Sequence, residues 1–300
     1  MRFLSLGKQF RPATSQVYPP FKHGRYMEEY AYEYFVHCAA TIETDRVYIP
    51  VFWTNLQNHP AFSQMKLRYQ TLLNNAIDSE ERLAGQERLA KRKLTYFTIV
   101  QHDDGPLLAL PSNTIVFGAC SGTVPLPLIY EDTRETLLKE PRDKKAYLAS
   151  FIGSITHPIR SDMCDAIKPY GDIVCNEKNI WSSHVSDQLA TQFSTITVRS
   201  KFCLCPRGYG RSSFRFFESM LLDTIPVYLW DDICWLPYQE ELDYSTFSVC
   251  IPQKDIHRIH EILSSITEEQ YADMMRKMQE VRHMFTLGWM CEYISRRIRL

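Results

Sequence analysis

The stretch from Lys201 to Asp232 restricts the possible folds more than any other part of the chain. Phe202-Cys203-Leu204-Cys205 reads as a strand, and Pro206-Arg207-Gly208-Tyr209-Gly210-Arg211-Ser212-Ser213 as a basic, glycine-bearing loop. Phe214 to Leu222 reads as a helix, and Ile225-Pro226-Val227-Tyr228-Leu229-Trp230 as a second strand. Strand to strand this takes about 30 residues, the size of a βαβ unit with parallel strands and a crossing helix. At about 100° per residue, Phe214, Phe217 and Leu221 form an apolar stripe, and Arg211, Arg215 and Glu218 fall on a neighbouring face. One side of the helix can then lie on the sheet while two guanidiniums and a carboxylate share another surface.

The rest of the chain repeats the alternation of short β-rich runs and helical stretches, which predicts an α/β fold with parallel sheets. In the first half the expected elements are a strand at Gln16–Tyr18, a helix over 26–40, a strand over 46–53 and a long polar helix over roughly 61–93. Strands at 96–100 and 114–117 follow. Residues 131–146 turn charged, from Glu131-Asp132 to Lys144-Lys145, and mark a linker between domains 1–140 and 141–300, with the final helix free to pack back on the first. The second half restarts with a strand at Tyr147–Ser154 and a helix beginning at Pro158, a residue suited to the first helical position. A strand at 172–175, a helix near 184–193 and closing helices from about Thr267 complete the pattern.

Composition excludes several classes. With 45% hydrophobic and 13% aromatic residues among 300, the chain has enough apolar surface to offset chain entropy, so it is not disordered. Thirty-four Lys and Arg against 35 Asp and Glu give a net charge of −1, without the basic excess of a nucleic-acid binder. No run reaches the roughly 20 apolar residues of a membrane span. The first ten residues are broken by charge and predict neither a secretory leader nor an anchor, and a cytoplasmic location is expected. The nine cysteines read as reduced, buried small hydrophobes. Cys203-x-Cys205 is strand alternation with no partner pair at zinc spacing, so no metal site is expected.

The loop before the helix carries the chemistry. Gly208 and Gly210 let backbone N–H groups approach an anion, and the helix start adds partial positive charge. Ser212 or Ser213 can cap the helix or donate to a phosphate. Arg207 and Arg215 offer planar forks suited to a diphosphate, and Glu218 can accept both hydroxyls of a ribose. The plain alternative is an i,i+3 surface ion pair between Arg215 and Glu218. With no Gly-Lys-Ser/Thr the segment is not a P-loop, and a nucleotide-diphosphate site is the better reading.

Phe202-Cys203-Leu204-x-Pro206-Arg207-Gly208, then Ser213-Phe214-Arg215-Phe216-Phe217-Glu218, then Ile225-Pro226-Val227, resembles the donor-binding segment of exostosin-type glycosyltransferases. In character the chain is similar to the compact, soluble exostosin-like enzymes of large algal viruses, some of which add xylose; a viral source would make the location the host cytoplasm. The resemblance implies a GT-B-like architecture, two Rossmann-type domains facing a central cleft, with a UDP-sugar held by the C-terminal one. It also implies inversion at the anomeric carbon. Carried onto this sequence, Arg207, Gly208, Tyr209, Ser212, Ser213, Arg215 and Glu218 bind the donor. Gly153 and Ser154, at a strand's carboxyl end, face the diphosphate. Arg160 is a third phosphate candidate, weighed evenly against an ordinary surface arginine, and Asn176 and Glu177 are candidates for the base pocket.

Inversion needs a group that takes the acceptor hydroxyl's proton. Asp104 or Asp103, following the strand at 96–100, fits, with His102 as orienter or alternate; Glu28 or Glu29, after Lys22-His23-Gly24, is the rival. For either pair the plain reading is loop solvation or a helix N-terminal charge. Asp103-Asp104 could hold a divalent cation, but the arginines remove the need for one. Asp231-Asp232 reads as a turn or helix start. Tyr18, Phe52, Trp53 and Tyr209 read as core or cleft walls, with sugar stacking open to Trp53. The expected activity is transfer of a sugar, xylose first, from a UDP-sugar to a glycan or glycoprotein hydroxyl, with a β-linkage and no metal. The rivals are a non-catalytic nucleotide-sugar- or glycan-binding partner subunit and a metal-dependent transferase with a single Rossmann domain.

Overall fold

The β-branched and aromatic runs of each half become a five-stranded, wholly parallel sheet in the computed structural model, which describes residues 1–14, 25–86, 94–130, 134–178 and 186–299. The chain divides into two units. The first takes Arg25–Leu126, the N-terminal residues and Leu287–Leu300; the second takes Pro127–Thr286. The charged stretch near 140 therefore lies inside the second unit, and the chain crosses over just after Leu126.

In the first unit β1 (Arg2–Phe3), β2 (Arg46–Tyr48), β3 (Thr95–Val100), β4 (Thr114–Gly118) and β5 (Val124–Pro125) lie side by side in chain order. Helices α1 (Met27–Cys38), α2 (Trp53–Gln57) and α3 (Phe62–Gln86) connect them. The expected strand over 46–53 stops at Tyr48, because Pro50 removes a ladder donor and Trp53 opens α2. Trp53 is wholly buried and its indole N–H donates to Thr98 Oγ1 at 2.8 Å, which makes it core and removes it as a sugar platform. Tyr18, the strand expected at 16–18, Lys22–Gly24, Lys91–Lys93 and Glu131-Asp132 lie outside the described residues.

The second unit contains α4 (Arg134–Lys139), β6 (Tyr147–Ser154), α5 (Pro158–Ile167), β7 (Ile173–Lys178), α6 (Asp187–Val198), β8 (Ser200–Pro206), α7 (Phe214–Leu221) and β9 (Ile225–Trp230). It continues through β10 (Val249–Pro252), α8 (Ile259–Ser264) and α9 (Glu268–Val281), after which α10 (Leu287–Arg297) belongs to the first unit. The sheet order is β10-β9-β8-β6-β7. From β6 the chain first adds β7 on one side and then returns to place β8 on the other, so the order reverses between β6 and β8. In open parallel sheets such a reversal opens a crevice at the strands' carboxyl ends. The βαβ unit read from Lys201–Asp232 is β8-α7-β9. Its helix buries Phe216, Phe217, Met220 and Leu221, while Phe214 is only half-buried and meets Tyr130 edge-on, with ring centroids 5.2 Å apart.

Candidate functional site

Within the second unit the crevice is built around β6 and β8. Arg215, in the first turn of α7, donates from Nε to the Ile152 carbonyl at 2.7 Å, and its guanidinium lies 5.4 Å from the centre of the buried Phe151 ring. It crosses β6 where there is no side chain. A Cβ on Gly153 would stand 2.3 Å from Arg215 Nη2, so glycine is needed there for space. Glu218, one turn further along, accepts a hydrogen bond from the Tyr130 hydroxyl. Burial raises its pKa, against the lowering effects of Tyr130 and Arg215. Arg215 and Glu218 thus engage different partners rather than closing a surface ion pair. Gly153, Ser154, Arg215, Glu218 and Tyr130 line a pocket of about 370 Å³ whose other wall is apolar, formed by Leu137, Leu189, Phe193 and Phe214.

The other predicted donor residues divide. Ser212 and Ser213 are buried beside the α7 start; Ser213 occupies the N-cap position without making a cap bond, and its hydroxyl has no partner. Arg160 is buried, with its guanidinium on three main-chain carbonyls, Arg207 at 2.7 Å, Ser154 at 2.7 Å and Pro206 at 3.3 Å. That makes Arg160 a tie between the ends of β6 and β8 and not an ordinary surface arginine. Gly208 keeps the space beside this tie open, since a Cβ there would lie 3.1 Å from Arg160 Nη2.

Arg207 pairs with Asp231 at 2.8 Å and Asp232 at 3.2 Å, and Arg211 pairs with Asp232 at 2.7 Å. Arg211 precedes α7 instead of sharing its face, and these pairs neutralise much of the charge that the loop's arginines bring. Asp231 and Asp232 also close the turn after β9 through the Asp232 and Ile233 amides. Tyr209 is 61% exposed. Asn176 and Glu177 lie in the second half of the edge strand β7, in register with Ile152 and Gly153.

Sequence reasoning passed over three residues here. Tyr130 meets Glu218 across 88 positions, a contact no local pattern announces. His157 is the N-cap of α5, a place implied by Pro158; its Nδ1 accepts from the Ile159 amide and its Nε2 lies 3.5 Å from Asp231. Burial, then the nearby Arg207, lowers its pKa. Thr156 Oγ1 is buried without a partner, 3.6 Å from the position of a Gly208 Cβ.

The first unit holds the candidate bases. Glu28, 1% exposed, sits in the first turn of α1. Its Oε1 accepts from the Thr54 amide at 3.2 Å, the Thr54 hydroxyl at 2.8 Å and the Gln101 amide at 2.9 Å, while its Oε2 is buried with no partner. The α1 start, the α2 start and the carboxyl end of β3 therefore converge on one carboxyl group. Burial raises its pKa, and the bonds from Gln101 and Thr54 oppose the rise. Glu29 closes the capping box of α1, accepting from the Tyr26 amide at 2.9 Å.

Asp103 and Asp104 lie in the turn after β3, which is closed by the Gly105 amide on the His102 carbonyl, with Gly105 at φ +73°. The Asp104 side chain is 72% exposed and 4.0 Å from His102 Nδ1. Burial lowers the pKa of His102.

Residues 111–266 match the exostosin GT47 domain. The chain belongs to that family. The match takes in every predicted donor residue and none of Glu28, Asp103 and Asp104. Among relatives, a probable glycosyltransferase of Arabidopsis thaliana is 30% identical over 141 residues, 47% of this chain and 26% of that protein. The exostosin-1 homolog of Caenorhabditis elegans is 25% identical over 183 residues, 53% of this chain and 47% of that protein. A probable beta-1,4-xylosyltransferase of Arabidopsis thaliana is 33% identical over 94 residues, 31% of this chain and 23% of that protein. The chain spans between about a quarter and about a half of the length of these relatives. Among solved structures, a spinosyn rhamnosyltransferase covers the whole of both chains at 13% identity and a TM-score of 0.39.

Proposed function

We propose that this exostosin-family chain is an inverting glycosyltransferase that moves a sugar, xylose first, from UDP to a hydroxyl of a glycan acceptor without a metal. The observation that carries the reading is the pocket at the β6–β8 reversal, where Arg215 and Glu218 stand beside Gly153. In this reading Arg215, the unpartnered Ser213 hydroxyl and the start of α7 receive the diphosphate, and Glu218 takes the ribose. As the glycosidic bond breaks, negative charge grows on the leaving phosphate, and fixed positive groups stabilise it without reorganising. The xylosyltransferase among the relatives supports the choice of sugar.

The base belongs to Glu28 in this reading, with Asp104 and Asp103 as the alternatives. A buried carboxyl with a raised pKa and one unengaged oxygen is suited to take a proton as the acceptor oxygen attacks. Asp104 turns to solvent.

Calorimetric titration with UDP in EDTA tests the donor site. A donor screen with linkage analysis of the product tests the sugar and the inversion. Absence of UDP binding removes the proposal, and activity lost in EDTA moves the chain to the metal-dependent class. The near-complete enclosure of Glu28 favours one rival, a nucleotide-sugar-binding subunit without turnover. UDP binding with no transfer or hydrolysis across donors selects that rival.

A further inference from the structure

The nine cysteines read from sequence as inert core residues, and one pair in the second unit departs from that reading. Cys164 in α5 and Cys175 in β7 place their sulfurs 3.0 Å apart, inside van der Waals contact. Three other pairs, Cys38 with Cys291, Cys234 with Cys250 and Cys203 with Cys205, also sense each other's charge, but Cys203 and Cys205 are wholly enclosed in β8, where the Cys205 thiol donates to the Cys203 carbonyl at 3.2 Å. No group of three or more His, Cys, Asp or Glu able to hold a metal occurs among the described residues, so a metal-thiolate role for the pair lacks further ligands. We propose that Cys164 and Cys175 are a disulfide-forming pair that fastens the edge strand β7 to α5.

Position and chemistry both favour this. β7 is the terminal strand of the second sheet, held on one side only, so a covalent tie adds most there. Cys164 lies four residues after Arg160, on the helix face whose guanidinium already binds the ends of β6 and β8. Cys175 is half-buried, whereas Cys164 is 8% exposed, so an oxidant meets Cys175 first. The hydrogen bond shared with Cys164 pulls the Cys175 thiol below its ordinary range, which favours the attacking thiolate.

With glutathione disulfide as oxidant, the Cys175 thiolate attacks one glutathione sulfur and releases a glutathione thiolate. Cys164, losing its proton, then attacks the Cys175 sulfur of the mixed disulfide and releases the second. Two cysteine thiols give up two electrons and two protons, and one glutathione disulfide becomes two glutathione thiols.

The test equilibrates the full chain with glutathione disulfide, alkylates the remaining thiols and cleaves before aspartate. Cutting at Asp162, Asp165 and Asp172 puts the two cysteines on separate peptides. The expected product is those peptides joined, about 2 Da lighter than their sum, while Cys38 and Cys291 stay alkylated. The thermal midpoint should rise by about 5 °C on oxidation and fall back with dithiothreitol, with no change in Cys164→Ser. Alkylation of both cysteines after oxidation, or a glutathione adduct persisting on Cys175, overturns the assignment. A joined product with no rise in midpoint also overturns it, because the bond would then form outside the native fold.

Discussion

The two sheets have the same number of strands and the same parallel sense, yet only one reverses its order. In the first unit the chain lays β1 to β5 in sequence, while in the second it doubles back between β6 and β8. Where neighbouring strands send their connections to opposite sides, no crossover covers the gap at their carboxyl ends, and a ligand can enter. Gly153, Arg160, Gly208 and Arg215 all sit at that gap. Among the described residues the first unit's strands show no such reversal, and its chemistry concentrates differently, with two helix starts and one strand end turned onto the buried carboxyl of Glu28. Topology thus gives one unit a crevice lined by Arg215 and Glu218, and helix termini give the other a desolvated acid.

The largest expected effect comes from separating the two. Glu28→Gln keeps the Oε1 acceptor and mimics the protonated acid, so it should lower kcat by about 100- to 10,000-fold while UDP affinity stays at the wild-type value. An acceptor-dependent rate that survives in this variant breaks the division of labour. The pH profile adds a sign. A base must be ionised, so the wild-type rate should rise with pH through the raised pKa of Glu28, with its acid limb above the ordinary value of 4.5. Stability runs the other way, because a raised folded pKa gives a contribution that is complete below the unfolded pKa and lost as pH rises through the folded one. Urea midpoints measured across that range should fall for wild type and stay flatter for Glu28→Gln.

The mirror experiment lies in the second unit. Arg215→Ala removes a charge-assisted contact and should weaken UDP binding by about 30- to 100-fold. Gly153→Ala should act through the same guanidinium: its Cβ would fall 2.3 Å from Nη2, so Arg215 must leave the Ile152 carbonyl. We expect a loss in UDP affinity of about tenfold and a stability cost of about 1–3 kcal/mol. If calorimetry finds Gly153→Ala unchanged while Arg215→Ala is crippled, the guanidinium binds from another position than the one it takes here.

Much of the second unit was legible because its signals are local. The Gly/Arg loop, the amphipathic helix and the strands on either side are contiguous, and their spacing alone implies β8-α7-β9. What escaped depends on distance. Tyr130 reaches Glu218 from 88 positions away, and Arg160, as much a phosphate candidate as a surface arginine in the sequence, meets three carbonyls that only the juxtaposed ends of β6 and β8 present to it. The loop of Arg207 and Arg211 reads as basic along the chain, because only the fold brings Asp231 and Asp232 back to pair with them. In the first unit the strand after Arg46 was read too long because Phe52-Trp53 has β-like composition, whereas Pro50 ends the ladder. The sequence offers Glu28 as a rival base, but its burial cannot be read there, since Thr54 and Gln101 reach it from distant parts of the chain.

The smallest expected effect is the sharpest control on the first unit. Asp104 follows the strand end, as a base should, but its carboxylate is 72% exposed on a turn held by the Gly105 amide and the His102 carbonyl. Water around an exposed carboxylate stabilises its charge and dulls its drive to take a proton from an alcohol. Asp104→Asn should therefore hold kcat/KM within about threefold of wild type, the change expected when a surface charge is lost. Measured beside Glu28→Gln on the same donor and acceptor, it compares an exposed acid with a buried one on neighbouring elements of the same unit. A hundredfold loss in Asp104→Asn, with Glu28→Gln active, would move the base to the turn and leave Glu28 as the buried tie between α1, α2 and β3.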